Sequence, residues 1–71
     1  MQAHPLHAAE ALLRLPAVEA RTGLKKSAIY AGIKDKTFPA CVKLGRASAW
    51  PSSSIDRWIA ERIADSRRGA R

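Results

Sequence analysis

Two short helical segments in this sequence are separated by a turn of only a few residues, which restricts how the chain can pack. Pro16 suits the first turn of a helix, because its φ angle is fixed and no backbone donor is needed there. Gly23 stands where a helix C-terminus favours a left-handed residue. Leu24 and Ile29 are spaced as a hydrophobic staple around the start of a second helix, predicted over residues 26–34. The pattern predicts a helix, a tight turn and a helix.

A short β-hairpin and a third helix are predicted after the second helix. Residues 42–44 alternate in polarity, and residues 48–50 return as the partner strand. Gly45 and Arg46 supply the turn between them. Ser53 begins an S-x-x-D capping box, which predicts the start of the third helix. The apolar stripe of this helix consists of Ile55, Trp58, Ile59 and Ile63.

Composition along the chain indicates a leader, one domain and a tail. Residues 1–10 lack sustained periodicity and are predicted to be a flexible leader, whereas residues 66–71 are predicted to be a frayed basic tail. Residues 11–65 then form the domain. The apolar run at residues 12–15 fits either an edge strand or the approach to the first helix.

Length and overall composition exclude several classes of protein. A chain of 71 residues buries only about 60% of the surface that its unfolded form exposes, so a deep catalytic cleft and an enzyme are not expected. A hydrophobic content of 46% is too high for a disordered basic tail. No segment approaches the roughly 18 apolar residues that a membrane span needs, so no membrane association is predicted.

The few cysteine and histidine residues do not form a recognisable site. Cys41 is alone and cannot form an internal disulfide, and no signal-peptide pattern precedes the domain, so a cytoplasmic protein is predicted. His4, His7 and Cys41 are scattered, whereas a structural zinc site needs four ligands at suitable spacing. No metal and no other cofactor are predicted.

The aromatic residues are predicted to belong to the core rather than to stack on nucleic-acid bases. Trp58 shares a helical stripe with isoleucines, and Trp50 is expected to close the hairpin opposite Val42 or Leu44. Phe38, directly before a proline, is expected to plug the same core.

Positive charge is concentrated in the middle of the chain. Seven basic residues and a single acid, Asp35, lie between Arg21 and Arg46, which gives this segment most of the net charge of +7. Such asymmetry produces a local positive field. Because the same segment is predicted to form two helices and a hairpin, the field is carried on a shape that fits a nucleic-acid duplex.

The polar side of the second helix and the hairpin supply the candidate contacts. Ser27, Tyr30 and Lys34 recur at helical spacing opposite the apolar stripe. The alternative for Tyr30 is that its ring packs against the hairpin and only its hydroxyl is exposed. Lys43 and Arg46 lie on the hairpin, where a cation either contacts phosphate or the minor groove or is simply an exposed surface charge.

Three motifs together resemble one family of small regulators. They are T-G-L-x-x-S-x-I-Y at residues 22–30, F-P-x-x-V-K-L-G at residues 38–45 and W-x-x-S-x-I-x-x-W at residues 50–58. The chain closely resembles the AlpA-type phage and prophage regulators, a branch of the excisionase and MerR-like winged helix-turn-helix proteins. The resemblance implies a mainly α fold with a small β-hairpin, in which three helices carry a wing.

The resemblance also implies a function in phage or mobile-element biology. It implies sequence-specific binding to double-stranded DNA, as a transcriptional regulator or an excisionase-type directionality factor. The second helix would enter the major groove, and the wing would touch the backbone or minor groove. The protein partner would be an integrase or recombinase. Copies of the chain could also associate, either as a homodimer or by cooperative assembly on repeated DNA sites. The predicted DNA contacts are Lys25, Lys26, Ser27, Tyr30, Lys34, Lys43 and Arg46.

A function of another class stays open beside DNA binding. The basic face would then dock on an acidic partner, such as an integrase or repressor, and the chain would be a protein-interaction adaptor. The chain departs from the family pattern at three positions, which puts sequence-specific contacts in question. Lys25 stands at the N-cap, where relatives usually carry serine, and its side chain cannot accept a hydrogen bond there. Ala31 and Ala49 also stand where relatives often carry arginine, which shifts weight onto Lys26, Lys34 and Arg46.

Overall fold

A computed structural model describes residues 10–69 as three helices around a small antiparallel sheet. The elements in chain order are β1 (Leu12–Arg14), α1 (Leu15–Thr22), α2 (Lys26–Asp35), β2 (Val42–Leu44), β3 (Ala47–Pro51) and α3 (Ser52–Gly69). The strand order in the sheet is β1-β3-β2. The predicted winged helix-turn-helix architecture, with three helices and a hairpin wing, is confirmed. No helix in the described part of the chain combines the length and the apolar character that crossing a membrane requires.

The apolar run before the first helix satisfies both of its alternatives. Its first three residues form the edge strand β1, and Leu15 begins α1 without an intervening loop. β1 pairs with β3, where Leu13 lies opposite Trp50. The wing, which consists of β2 and β3, is therefore part of a three-stranded sheet. β3 is its central strand and pairs with β1 on the side away from β2.

The predicted position of Trp50 opposite Val42 or Leu44 is wrong. Val42 lies opposite Ala49, and Leu44 lies opposite Ala47. The reason is the length of the turn. Gly45, with φ +64°, and Arg46 form a two-residue loop that fixes this register and leaves Trp50 beyond the end of β2.

The core combines residues of all three helices, the loop after α2 and the central strand β3. Val18 of α1, Ile29 of α2, Phe38 of the following loop, Trp50 of β3 and Ile55 of α3 are buried against one another. This confirms Trp50 and Phe38 as core residues. The buried indole N–H of Trp50 donates to the carbonyl oxygen of Pro39 at 3.0 Å, so burying the ring leaves its donor satisfied.

The capping box predicted at Ser53 is wrong, because α3 begins at Ser52, directly after Pro51, whereas an N-cap at Ser53 would start the helix two residues later. Ser53 already lies in the first turn, and the acceptor for its N–H is the carboxylate of Glu10 at 2.9 Å. The same carboxylate accepts from the hydroxyls of Ser52 and Ser53 at 2.9 and 2.8 Å. Glu10 was assigned to the leader, yet its anion is held at the positive end of α3.

The last turns of α3 extend through Gly69, past the predicted domain boundary at residue 65. Asp65 accepts hydrogen bonds from both Arg62, at 2.7 Å, and Arg68. These pairs, three residues apart on one helical face, support the exposed end of the helix. The remainder of the predicted leader, with His4 and His7, and the last two residues of the tail lie outside the described residues.

Replacing Gly32 with alanine is expected to lower the free energy of unfolding by about 1–2 kcal/mol. An added Cβ would lie 2.8 Å from the Cβ of Phe38, and this overpacking outweighs the better helix propensity of alanine. Urea denaturation followed by tryptophan fluorescence measures the change. Gly69→Ala is the matched control, since nothing lies within 4 Å of its added Cβ. A Gly32→Ala variant as stable as the control would contradict the close approach.

Candidate nucleic-acid interface

The turn between α1 and α2 is built from three local hydrogen bonds. Gly23 adopts φ +78°, and its N–H donates to the carbonyl oxygen of Glu19 at 2.8 Å. The hydroxyl of Thr22 donates to the carbonyl oxygen of Val18 at 2.8 Å and accepts from the N–H of Leu24 at 3.2 Å. Thr22 and Gly23 of the T-G-L motif therefore end α1 and set the direction in which the chain continues to α2.

The N-terminus of α2 is positively charged and lacks a side-chain cap. Lys25 is the N-cap residue, with extended backbone angles and no side-chain hydrogen bond, as its chemistry predicts. Its carbonyl oxygen accepts from the N–H of Ile29 at 3.0 Å. The first turn contains no acidic residue. Lys25, Lys26 and the uncapped N–H groups together make this helix end attractive to an anion.

The outward face of α2 carries the candidate contacts that the helical period predicts. Ser27, Tyr30 and Lys34 are all exposed, whereas Ile29 is fully buried and Ile33 packs against the core. A hydroxyl, a phenol and a flexible cation therefore share one accessible surface.

The ring of Tyr30 packs against the hairpin, as one alternative for this residue predicts. The rings of Tyr30 and Trp50 are in an edge-type contact, with centroids 6.2 Å apart and planes at 60°. The residue nevertheless keeps 38% of its surface exposed. Tyr30 thus joins α2 to the wing while part of the residue stays exposed.

The wing presents Lys43 on the same side of the sheet as Trp50. Lys43 lies opposite Ser48, and the Lys43 ammonium donates to the Ser48 hydroxyl at 3.0 Å. Cross-strand partners project to one face, and residues 48 and 50 share a face because side chains alternate along a strand. Since Trp50 contacts Tyr30, Lys43 lies on the α2 side of the sheet. Arg46 is exposed in the turn.

Not every cation of the central segment is available to a ligand. Arg21 of α1 forms an ion pair with Asp56 of α3 at 2.9 Å. This pair links α1 to α3 and neutralises the charge of Arg21. The other cations of the segment have no ion pair within residues 10–69. They are Lys25, Lys26, Lys34, Lys36, Lys43 and Arg46.

Lys36 is an exposed cation that sequence reasoning did not select. It caps the C-terminus of α2 in the left-handed region, at φ +66°, and its N–H donates to the carbonyl oxygens of Gly32 and Ile33. Lysine is unusual in this conformation, so no sequence signal identified the position. Its charge sits at the opposite end of α2 from Lys26.

Comparison with known proteins identifies the family of this chain. A family model described as Prophage CP4-57 regulatory protein (AlpA) matches residues 11–63. The chain belongs to the AlpA family. The match spans the sheet, α1, α2 and most of α3, and it includes all seven candidate contact residues.

Two relatives of this AlpA-family chain are a phage protein and a bacterial one. The chain is 43% identical over 61 residues to an uncharacterized protein, ORF88, of Enterobacteria phage P4, which covers 84% of this chain and 69% of the relative. It is 36% identical over 58 residues to the DNA-binding transcriptional activator AlpA of Escherichia coli (strain K12), which covers 72% of this chain and 83% of that protein. No solved structure matches the chain.

Replacing Lys25 with serine is expected to raise the free energy of unfolding by about 1 kcal/mol. The serine hydroxyl would accept a hydrogen bond from the first turn of α2, and a cation would leave the positive end of the helix. Urea denaturation measures the gain. Lys26→Ser is the control, because a side chain one position inside the helix cannot cap it. Equal gains in both variants would be inconsistent with an N-cap at Lys25.

Proposed function

We propose that this chain binds double-stranded DNA sequence-specifically and regulates transcription for a phage or another mobile element, acting at the nucleoid in the cytoplasm. The observation that carries the proposal is the outward face of α2, where Ser27, Tyr30 and Lys34 are exposed beside a positively charged helix end. The description of the Escherichia coli relative as a DNA-binding transcriptional activator supports it.

In this proposal α2 lies in the major groove. Its 10 residues span about 15 Å, and the groove of B-DNA, about 12 Å wide, admits a helix. Lys25 and Lys26 meet phosphate at the N-terminal end. The hydroxyl of Ser27 and the phenol of Tyr30 reach base edges or the backbone, and Lys34 extends the contact along the helix.

The wing provides a second grip on the backbone or in the minor groove. Gly45 allows a two-residue tip, which keeps the hairpin narrow and places Arg46 at its end. Ser48 holds the ammonium of Lys43 on the face shared with Trp50. Both cations therefore lie on elements that the Tyr30–Trp50 contact ties to α2.

A single module of this size is expected to bind weakly. One small DNA-binding domain buries about 600–1,000 Å² of its surface on DNA, which is low for a specific regulator. We therefore propose that useful specificity comes from a homodimer, from cooperative copies on repeated sites, or from an integrase or recombinase bound alongside. In the last arrangement the chain would act as a directionality factor in excision.

Binding to duplexes from the flanking genome is expected to depend strongly on salt. About five or six phosphate contacts give a slope of roughly −4 to −6 for log affinity against log salt concentration. Lys34→Ala and Arg46→Ala are each expected to reduce the steepness of this slope by about 1, because each removes one phosphate contact. Fluorescence anisotropy over a salt series measures it.

Arg67→Ala is the matched control for these variants, because this exposed arginine lies in the last turn of α3. It is expected to leave both the affinity and the slope unchanged. An adaptor that docks its basic face on an acidic protein would instead bind genomic and competitor duplexes equally. That result would remove sequence-specific DNA binding as the function.

Replacing Tyr30 with phenylalanine tests the role of its hydroxyl. The ring contact with Trp50 is retained, so the free energy of unfolding is expected to stay within about 0.5 kcal/mol of the parent. Loss of a hydrogen bond to DNA is expected to lower affinity by about fivefold. Anisotropy and urea denaturation separate the two effects. Unchanged affinity would restrict Tyr30 to packing.

A further inference from the structure

A cleft of about 250 Å³ lies between the loop after α2 and the first turns of α3. One wall is the segment from Lys36 to Pro39, and the other is formed by side chains of α3. The predicted DNA contacts at Lys25 and Lys26 are at the other end of α2, about 15 Å away along the helix. The cleft therefore lies away from Lys25 and Lys26, whereas Lys34, the third α2 cation that is proposed to contact DNA, is at the same end of the helix as Lys36.

The floor of the cleft is aromatic and rigid. The rings of Phe38 and Trp58 have centroids 5.1 Å apart, with planes inclined by 58°. The indole N–H of Trp58 donates to the carbonyl oxygen of Thr37 at 2.9 Å, and the guanidinium of Arg62 lies 5.6 Å from the ring centroid. Trp58 is thus fixed from several directions while it still lines an open cleft.

The rim of the cleft carries unneutralised charge. Lys36 and Arg57 are exposed on opposite walls, and Glu61 lies one helical turn beyond Arg57. None of the three takes part in an ion pair within the described residues. Two cations above an apolar floor favour a ligand that presents a carboxylate beside an apolar group, with the carboxylate placed away from Glu61.

We propose that this cleft is a docking site for an acidic peptide segment of a partner protein, distinct from the DNA interface. The volume is below the roughly 300–1,000 Å³ of small-molecule sites and suits one leucine-sized or phenylalanine-sized side chain. Interfaces are enriched in tryptophan and arginine, which the cleft supplies at Trp58 and Arg57. Duplex DNA fits less well, because stacked bases cannot enter the cleft and Glu61 repels a continuous line of phosphates.

A peptide titration of the full chain tests this proposal by NMR. The probe is a blocked peptide with a central leucine flanked by aspartates, and the control peptide carries lysines in place of the aspartates. The indole N–H signal of Trp58 is expected to shift saturably with the acidic probe alone. Absence of a saturable shift, or an equal response to the lysine peptide, would overturn the proposal.

Two charge variants of opposite sign make the test specific. Arg57→Ala is expected to weaken binding of the acidic peptide about fivefold, and Glu61→Gln to strengthen it about threefold, as for partly exposed ion pairs. Both side chains are exposed, so the native spectrum is expected to persist. No change in either variant, or changes of the same sign, would refute the proposed orientation.

The wing variant Arg46→Ala separates this site from the DNA interface. It is expected to weaken binding to duplex DNA and leave binding of the peptide unchanged, whereas Arg57→Ala is expected to do the reverse. If duplex DNA displaces the peptide and Arg57→Ala weakens DNA binding as much as Arg46→Ala does, the cleft belongs to the nucleic-acid interface and the proposal fails. Loss of peptide binding alone would leave the proposed DNA-binding function untouched.

Discussion

The burial of Trp50 is the interaction on which the rest of the structure depends. Its ring is fully buried beside residues of all three helices, its N–H is satisfied by Pro39, and its backbone lies opposite Leu13 in the sheet. The ring edge also meets Tyr30 on the outward side of α2. Trp50 therefore links the core, the strand β1 and the helix α2, which carries the candidate contacts. The wing and α2 are positioned relative to each other through this residue rather than through a direct contact between their charged groups.

Charge is distributed so that the candidate interface is left largely uncompensated. Asp56 pairs with Arg21, and Asp65 pairs with Arg62 and Arg68. Two of the acidic side chains of α3 are therefore already in ion pairs with arginines. Within residues 10–69 no acidic side chain forms an ion pair with Lys26 or Lys34. The positive field of the central segment is therefore concentrated on α2 and the wing, where it would attract an anionic ligand over a long range.

Local signals predicted local structure, and the errors lie where distant residues intervene. Gly23 and the spacing of Leu24 and Ile29 were sufficient to predict the turn and the buried side of α2, because turn chemistry and helical period act over a few residues. Ser53 was assigned to a capping box because Glu10, the actual acceptor, is 43 residues away in the chain. The pairing of Trp50 with Leu13 also joins residues that are far apart in the chain, whereas the wrong register with β2 came from the length of the turn at Gly45 and Arg46. The exposure of Ser27, Tyr30 and Lys34 followed from periodicity, whereas what these residues bind depends on a ligand that the chain does not contain.

The two outer strands of the sheet, β1 and β2, are only three residues long, which affects how readily the sheet edges of two copies can pair. A free strand edge can pair with another chain, and proteins that avoid such pairing use short edges and lysine side chains on them. β1 and β2 have this form, with Arg14 on one and Lys43 on the other, even though Leu12, Val42 and Leu44 are exposed. These features hinder pairing between the sheet edges of neighbouring copies at high concentration. Lys43, one of the candidate contact residues, therefore also discourages edge-to-edge pairing of the sheet.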